Sequence, residues 1–165
     1  GKPFVKESGQ GMSWGRIVHR ILENLAKNKT IDLNLLVENL LKEEDRSPSE
    51  KDSLIALIKV ILASDLWIRA KKAEKTLVEV PFSHTIEEEG KVQVISGVID
   101  LVFKEKEGWV IADYKSDKID GNLDALVAYY RPQVDMYRDL WQKMTGEKVK
   151  EAGLYFIDAA KWVSV

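Results

Sequence analysis

Cysteine is missing from all 165 residues. Its absence excludes a disulfide framework, a thiolate zinc site, an iron–sulfur cluster held by this chain and a cysteine nucleophile. Long apolar runs are missing too. No stretch of about 18 apolar residues offers a membrane span, and no basic-then-apolar leader marks a secretory signal. The expectation is a cytoplasmic protein with no membrane partner. A positive net charge is also absent: 25 lysines and arginines face 27 aspartates and glutamates, for a net −2. The basic footprint usual in nucleic-acid binding is therefore not there. Phosphate chemistry survives this objection, because a bound cation brings positive charge to the point where phosphate approaches. The chain also lacks a G-x-x-x-x-G-K-[ST] loop, a G-x-S-x-G elbow and an H-E-x-x-H pair, so nucleotide-loop, hydrolase-elbow and zincin chemistries have no carrier.

What is present fits a globular protein: 45% hydrophobic and 32% charged residues, with length enough for one core-bearing domain over 1–165. The first residue is Gly1 rather than methionine, which suggests a module processed or cut from a longer protein. No internal repeat or low-complexity tract divides it.

Two runs rich in β-branched and aromatic residues, 97–103 and 109–115, predict a hairpin around Glu105-Lys106-Glu107-Gly108. Alternation places Val98, Asp100 and Val102 on one face of the first strand, and Trp109, Ile111, Asp113 and Lys115 on one face of the second. If Lys106-Glu107 is a two-residue turn, or if all four residues loop out, Asp100 lies opposite Asp113, with Cβ atoms about 4.5–5.5 Å apart. A three-residue loop would send the two carboxylates to opposite faces. Like charges directly opposite one another destabilise a sheet, and a divalent cation between them reverses that argument. Lys115, on the same face, completes a group able to activate water beside a hard cation. The plainer alternative is a charged, solvated strand, but Ile99, Leu101, Val110 and Ala112 flank the charges closely.

The chain begins with an entry segment over 1–12. A first helix starts at Ser13, a candidate N-cap, with Trp14, Ile17, Val18, Ile21, Leu22 and Leu25 at helical spacing. His19 lies off that stripe and reads either as a ligand or as a solvated flank residue. After a break at 28–30, Leu33, Leu36, Val37, Leu40 and Leu41 indicate a second helix. Ser47-Pro48-Ser49-Glu50 has the form of a capping box opening a third, and Asp65 is a candidate cap for a short continuation. Lys71, Lys72 and Lys75 form either a phosphate contact or a solvated basic rim. A strand over 76–82 contains Glu79, and the extended chain turns at Glu88-Glu89-Gly90. After a polar loop over 116–122 and a weakly helical 123–130, Pro132 suits the first turn of a fresh helix, whose stripe is Val134, Tyr137, Trp141 and Met144. Gln133 and Tyr137, four residues apart, share a face. Gly146 ends this helix, and a last strand is expected over 152–157.

Four segments together resemble the nuclease domain of the RecB and AddA helicase–nucleases, within the PD-(D/E)xK superfamily. Gly15-Arg16-Ile17-Val18-His19 is similar to that family's G-x-x-x-H, and Glu79-Val80-Pro81-Phe82 to its acidic strand segment. Gly97-Val98-Ile99-Asp100, followed by Asp113-Tyr114-Lys115-Ser116, resembles its G-x-I-D and D-Y-K-T core, and Tyr130-x-x-Gln133-x-x-x-Tyr137 its Y-x-x-Q-x-x-x-Y helix. Ser116 stands where threonine is usual and keeps the hydroxyl, and Val134 stands where leucine is usual. The relatives with a cysteine-held iron–sulfur cluster are excluded by composition.

The resemblance implies an α/β fold of the restriction-endonuclease type, a mixed central sheet flanked by helices. It implies Mg²⁺ or Mn²⁺ held by His19, Asp100, Asp113 and the Tyr114 carbonyl. Lys115 would position or activate the attacking water, and Glu79 would assist with the metal or substrate. Gln133, Tyr137 and Ser116 would support the site or contact the strand. The implied activity is metal-dependent DNA hydrolysis, exonucleolytic on single-stranded ends, in recombination and repair. The implied partner is a helicase domain or subunit that also holds the DNA. The alternatives are a non-catalytic DNA-binding or scaffold module of the same fold, and an enzyme acting on RNA or branched DNA.

Overall fold

Apolar side chains at helical spacing turn the first half of the chain into four helices. In the computed structural model, which describes residues 11–28 and 30–165, these are α1 (Met12–Lys27), α2 (Leu33–Glu43), α3 (Lys51–Leu62) and α4 (Asp65–Lys72). The expected stripe of α1 is buried from Trp14 to Leu22. The second half supplies β1 (Lys75–Glu88), β2 (Lys91–Glu105), β3 (Gly108–Lys115), α5 (Leu123–Thr145), β4 (Val149–Phe156) and β5 (Lys161–Ser164). The five strands lie in sequence order, all neighbours antiparallel except β3 and β4, which are parallel and joined by α5. One sheet face packs on α1 to α4 through Leu101, Phe103, Val110, Ala112 and Tyr114. The other packs on α5 through Val102, Trp109, Ile111, Leu154 and Phe156. This is the mixed sheet flanked by helices that was expected. Among the described residues no helix is long and apolar enough to cross a membrane.

Several local expectations are corrected. The N-cap position of α1 is Gly11, and Ser13 instead accepts a hydrogen bond from Arg46 Nη1 at 2.8 Å. Ser47 does cap, accepting from the Ser49 amide across a 3₁₀ turn (Pro48–Glu50). Glu50 closes no capping box, because its carboxylate binds Arg46 at 2.6 and 2.9 Å. Asp65 opens α4 from inside, with Ser64 at the cap position. The entry segment lies outside the described residues up to residue 10.

Helix α5 runs unbroken through Pro132 rather than restarting there. An interior proline costs about 3 kcal/mol. Against that, Leu126 and Tyr130 before it and Val134, Tyr137, Leu140 and Trp141 after it are all buried on one side of the same helix, each worth about 1.5–3 kcal/mol of burial. Met144, expected in that stripe, is exposed. Gly146, at φ 69°, ends the helix as expected, its amide returning to the Gln142 carbonyl. Strand β5 was not foreseen: Trp162 and Val163 are too short a run to announce a strand, and pairing with β4 makes it one.

The strict alternation expected in the hairpin is also corrected. In β2, Val102 faces α5 and Leu101 faces the helical layer, yet Ile99 is back on the α5 side. In β1, Leu77 faces α5, Val78 faces the helical layer, and Val80 returns to α5. The faces therefore swap across Glu79 and Asp100, which lie opposite one another in an otherwise constant register. Glu79 has φ 50° and drops out of the ladder. Each strand uses one residue to change sides, and in both that residue is a carboxylate. Val98, expected beside Asp100 and Val102, is instead exposed.

Candidate active site

The two-residue turn at Lys106-Glu107 pairs Glu105 with Gly108, and the ladder runs on to Leu101 opposite Ala112. The ladder stops one step short of Asp100 and Asp113, and the two carboxylates are close enough to shift each other's titration. Asp100, Asp113 and Asp117 are 8, 4 and 2% exposed, and they are the buried polar or charged side chains among the described residues. Asp100 Oδ2 accepts the Tyr114 amide at 2.8 Å, which ties the carboxylate to the third strand.

Helix α1 reaches this place because Gly15 has no side chain. A Cβ there would lie 3.0 Å from both Cβ and Oγ of Ser116. One turn later on the same face stands His19. Its Nδ1 is 3.4 Å from Asp100 Oδ1, and its ring meets the Tyr114 ring edge-on at 5.2 Å. Glu79 joins from β1, its backbone held in the left-handed region that a residue with a Cβ seldom adopts. One donor atom from each of His19, Glu79 and Asp100 lies within 4.8 Å of the others. Lys115 Nζ touches Asp113 Oδ2 and donates to Gln133 Oε1, both at 2.9 Å. An open cleft of about 500 Å³ runs past Arg16, His19, Glu79, Lys115 and Asp117. Lys71, Lys72 and Lys75 do not line it.

The electrostatics record an excess of carboxylates. Burial, then the charge of Asp100, raise the Glu79 carboxyl above its ordinary value. Burial raises Asp113 most; Lys115 opposes it and Asp100 adds to the rise, pushing this carboxyl up to about 7. Burial also pulls the His19 imidazole down, but the Asp100 hydrogen bond and charge, with help from Glu79 and Asp113, carry it above its ordinary value. Asp100 itself is driven up by burial and held down more strongly by His19, so its net shift is downward. Asp113 Oδ2 is buried and faces the Lys115 ammonium at 2.9 Å.

A divalent cation fits this environment. One imidazole nitrogen and carboxylate oxygens suit a hard or borderline ion such as Mg²⁺ or Mn²⁺, and the Asp113 carboxylate, paired with Lys115, lies beside the cluster without belonging to it. The fold thus gathers His19, Glu79, Asp100, Asp113, Tyr114 and Lys115. Ser116 lies against α1, Gln133 holds Lys115, and Tyr137 packs edge-on against Phe82 at 5.3 Å, its hydroxyl raised by burial and by the nearby Asp113 and Asp100. Two participants were not foreseen. Asp117 falls within the polar loop, and Tyr130, though inside the quoted helix motif, had no role of its own. Tyr130 Oη donates to Asp117, lying 3.0 Å from both carboxylate oxygens, and Lys115 Nζ sits 4.2 Å from the centre of the Tyr130 ring. The one sequence signal was a second acid two residues after the lysine.

The chain is similar in sequence to several known proteins. Residues 5–163 match the sequence profile of the PD-(D/E)XK nuclease superfamily. The chain is 32% identical to an ATP-dependent helicase/nuclease subunit of Alkaliphilus oremlandii, over 90% of its own length and 14% of that protein's. It is 31% identical to the protein of the same name from Clostridium perfringens, over 86% of its length and 13% of that protein's. It therefore spans about a seventh of the length of these relatives. A solved structure, that of SSO0001, superposes with a TM-score of 0.44 at 17% identity, over 93% of this chain and 64% of that one.

Proposed function

The chain belongs to the PD-(D/E)XK nuclease superfamily, and from that premise we propose that it hydrolyses DNA phosphodiester bonds with Mg²⁺ or Mn²⁺ as cofactor. We place it as one module, residues 1–165, of a larger helicase–nuclease acting exonucleolytically on single-stranded ends in recombination and repair. The observation that carries this reading is the convergence of His19, Glu79 and Asp100 within 4.8 Å, beside an Asp113–Lys115 pair on the adjoining strand.

His19, Asp100, Asp113 and the Tyr114 carbonyl would hold the ion, with Glu79 completing the set. A bound divalent cation supplies charge stabilisation to the phosphoryl oxygens and acidifies water. The chain does the remainder. Asp113 and Gln133 fix the Lys115 ammonium from two sides, so that its charge faces the attacking water and the oxygen on which negative charge develops. Gln133 and Tyr137 keep the α5 face of the site in register with β3. Ser116 sets the approach of α1, which determines where His19 points. The net charge of −2 leaves this module little long-range hold on DNA. A motor domain or subunit therefore supplies that hold, in line with the relatives' names.

Asp113→Ala and Lys115→Ala each abolish Mn²⁺- or Mg²⁺-dependent degradation of single-stranded DNA while circular dichroism stays that of the parent. Calorimetric titration with Mn²⁺ gives binding heat in the parent and none in Asp100→Ala. Undiminished degradation by clean preparations of both variants removes the proposed site. Absence of any Mn²⁺ heat in the parent instead favours a non-catalytic module.

A further inference from the structure

Lys115 has three ammonium protons and three neighbours. Asp113 and Gln133 take two directions, and the face of Tyr130 takes the third at 4.2 Å. A cation at that distance from an aromatic face is attracted by the ring quadrupole, more so where water is partly excluded. The Lys115 side chain is only 15% exposed. The ring is itself anchored: Tyr130 Oη lies 3.0 Å from each oxygen of Asp117, and that carboxylate is more deeply buried than Asp100 or Asp113. Burying a carboxylate with a phenol as hydrogen-bond donor is a poor way to gain stability. Its position explains it better, since it fixes the rotation of a tyrosine whose ring face meets a lysine in the site.

We propose that Asp117 and Tyr130 are positioning residues for Lys115, with Asp117 locking the tyrosine ring and the ring face holding the ammonium. The proposal rests on the reading of Lys115 as the active-site cation. It also explains why three contacts are built where two would serve. Asp113 is a candidate metal ligand, so its hold on the ammonium weakens when its charge turns to an ion. The Gln133 oxygen and the Tyr130 ring are the two holds that do not. The arrangement comes from α5 lying across β3: Tyr130 and Gln133 are three residues apart on one helix face, and Lys115 and Asp117 are successive odd positions where β3 ends.

The test uses the whole chain, metal-free, with trace acetylation by an N-hydroxysuccinimide ester. The ratio of Lys115 to Lys118 labelling is read by mass spectrometry, and steady-state kinetics are measured separately with Mn²⁺. Tyr130→Leu raises the labelling ratio about threefold or more and lowers kcat about tenfold, with KM held within about twofold, as loss of a cation–aromatic contact predicts. Asp117→Ala moves both readouts the same way by less, and Asp117→Asn, which keeps an acceptor for the hydroxyl, restores them toward the parent. Parent-like labelling and kcat in folded Tyr130→Leu overturn the proposal. Should that variant not fold, Tyr130→Phe decides, since it keeps the ring but releases it from Asp117: a raised ratio supports the proposal, and an unchanged ratio overturns it. A parent chain with no nuclease activity defeats the functional reading alone, because the labelling arm needs neither metal nor DNA.

Discussion

Strand β2 carries two charge clusters of opposite character, one at its C-terminal end and one five residues inside it. Around Glu105 the charges are matched. Arg69 Nη2 lies 2.7 Å from both Glu105 and Glu151, Lys150 lies 2.9 Å from Glu105, and the Trp162 indole donates to Glu151 at 2.8 Å. The Arg69 hydrogen bond, opposed by burial and helped by Lys150, holds the Glu105 carboxyl down at about 2. Around Asp100, five residues earlier, three carboxylates share one lysine and one histidine, and burial lifts Glu79 and Asp113. The first cluster is complete as it stands. The second has excess negative charge and a strained Glu79 backbone. Ion-pair networks also shift pKa values, so a shift alone does not mark a site. What separates the two clusters is whether the shifts stabilise the charges present or register a missing one.

That contrast can be broken at either cluster. The largest effect expected is at the unmatched cluster: Asp113→Asn lowers metal-dependent DNA hydrolysis by about 1000-fold or more, measured on labelled single strands. Next comes Arg69→Met, which strands two carboxylates. With Arg69 about a fifth exposed, the discounted loss is about 2 kcal/mol, or roughly 4–8 °C in Tm, with activity kept. Because the Glu105 carboxyl sits below its unfolded value, its contribution is present above about pH 4.5 and is lost as pH falls toward 2. Acid melts of Arg69→Met therefore fall less steeply across that range than those of the parent.

The opposite sign holds for Asp113. Its raised carboxyl contributes stability below about pH 3.8 that is lost as pH rises through about 7. In metal-free protein Asp113→Asn removes that loss and raises Tm by a few degrees at pH 8 but not at pH 4. The same substitution thus destroys activity and adds stability, whereas Arg69→Met does the reverse. Parallel changes at the two clusters would erase the distinction. The smallest effect is that of Gly15→Ala, whose Cβ meets Ser116 at 3.0 Å. A shift of α1 by a few tenths of an ångström lowers activity several-fold and leaves the far-ultraviolet spectrum unchanged.

Much of the site was legible because it rests on local periodicity. Loop lengths of two or four residues both bring Asp100 and Asp113 together, so their meeting was open to the sequence, and the two-residue turn decided it. Four-residue spacing likewise put Gly15 with His19 and Gln133 with Tyr137 on shared helix faces. What escaped depends on partners distant in the chain. The side change at Glu79 and Asp100 breaks the alternation on which strand reading relies, and only the two packed faces reveal it. The run of α5 through Pro132 is decided by apolar contacts on both sides of the proline, which outweigh one lost hydrogen bond. Strand β5 exists only through its pairing with β4. Asp117 looked like loop polarity because its burial and its tyrosine partner come from a helix folded back across β3.

The amino-acid order by itself determined which side chains could meet within one turn or one hairpin, since backbone geometry fixes those distances over a few residues. Only the tertiary structure decided which of those groups would be drawn out of water together. Desolvation and crowding of like charges arise where elements far apart in the chain close over the same few ångströms. That closure makes the C-terminal end of β2 a satisfied ion-pair network and the stretch around Asp100 a place that calls for a cation.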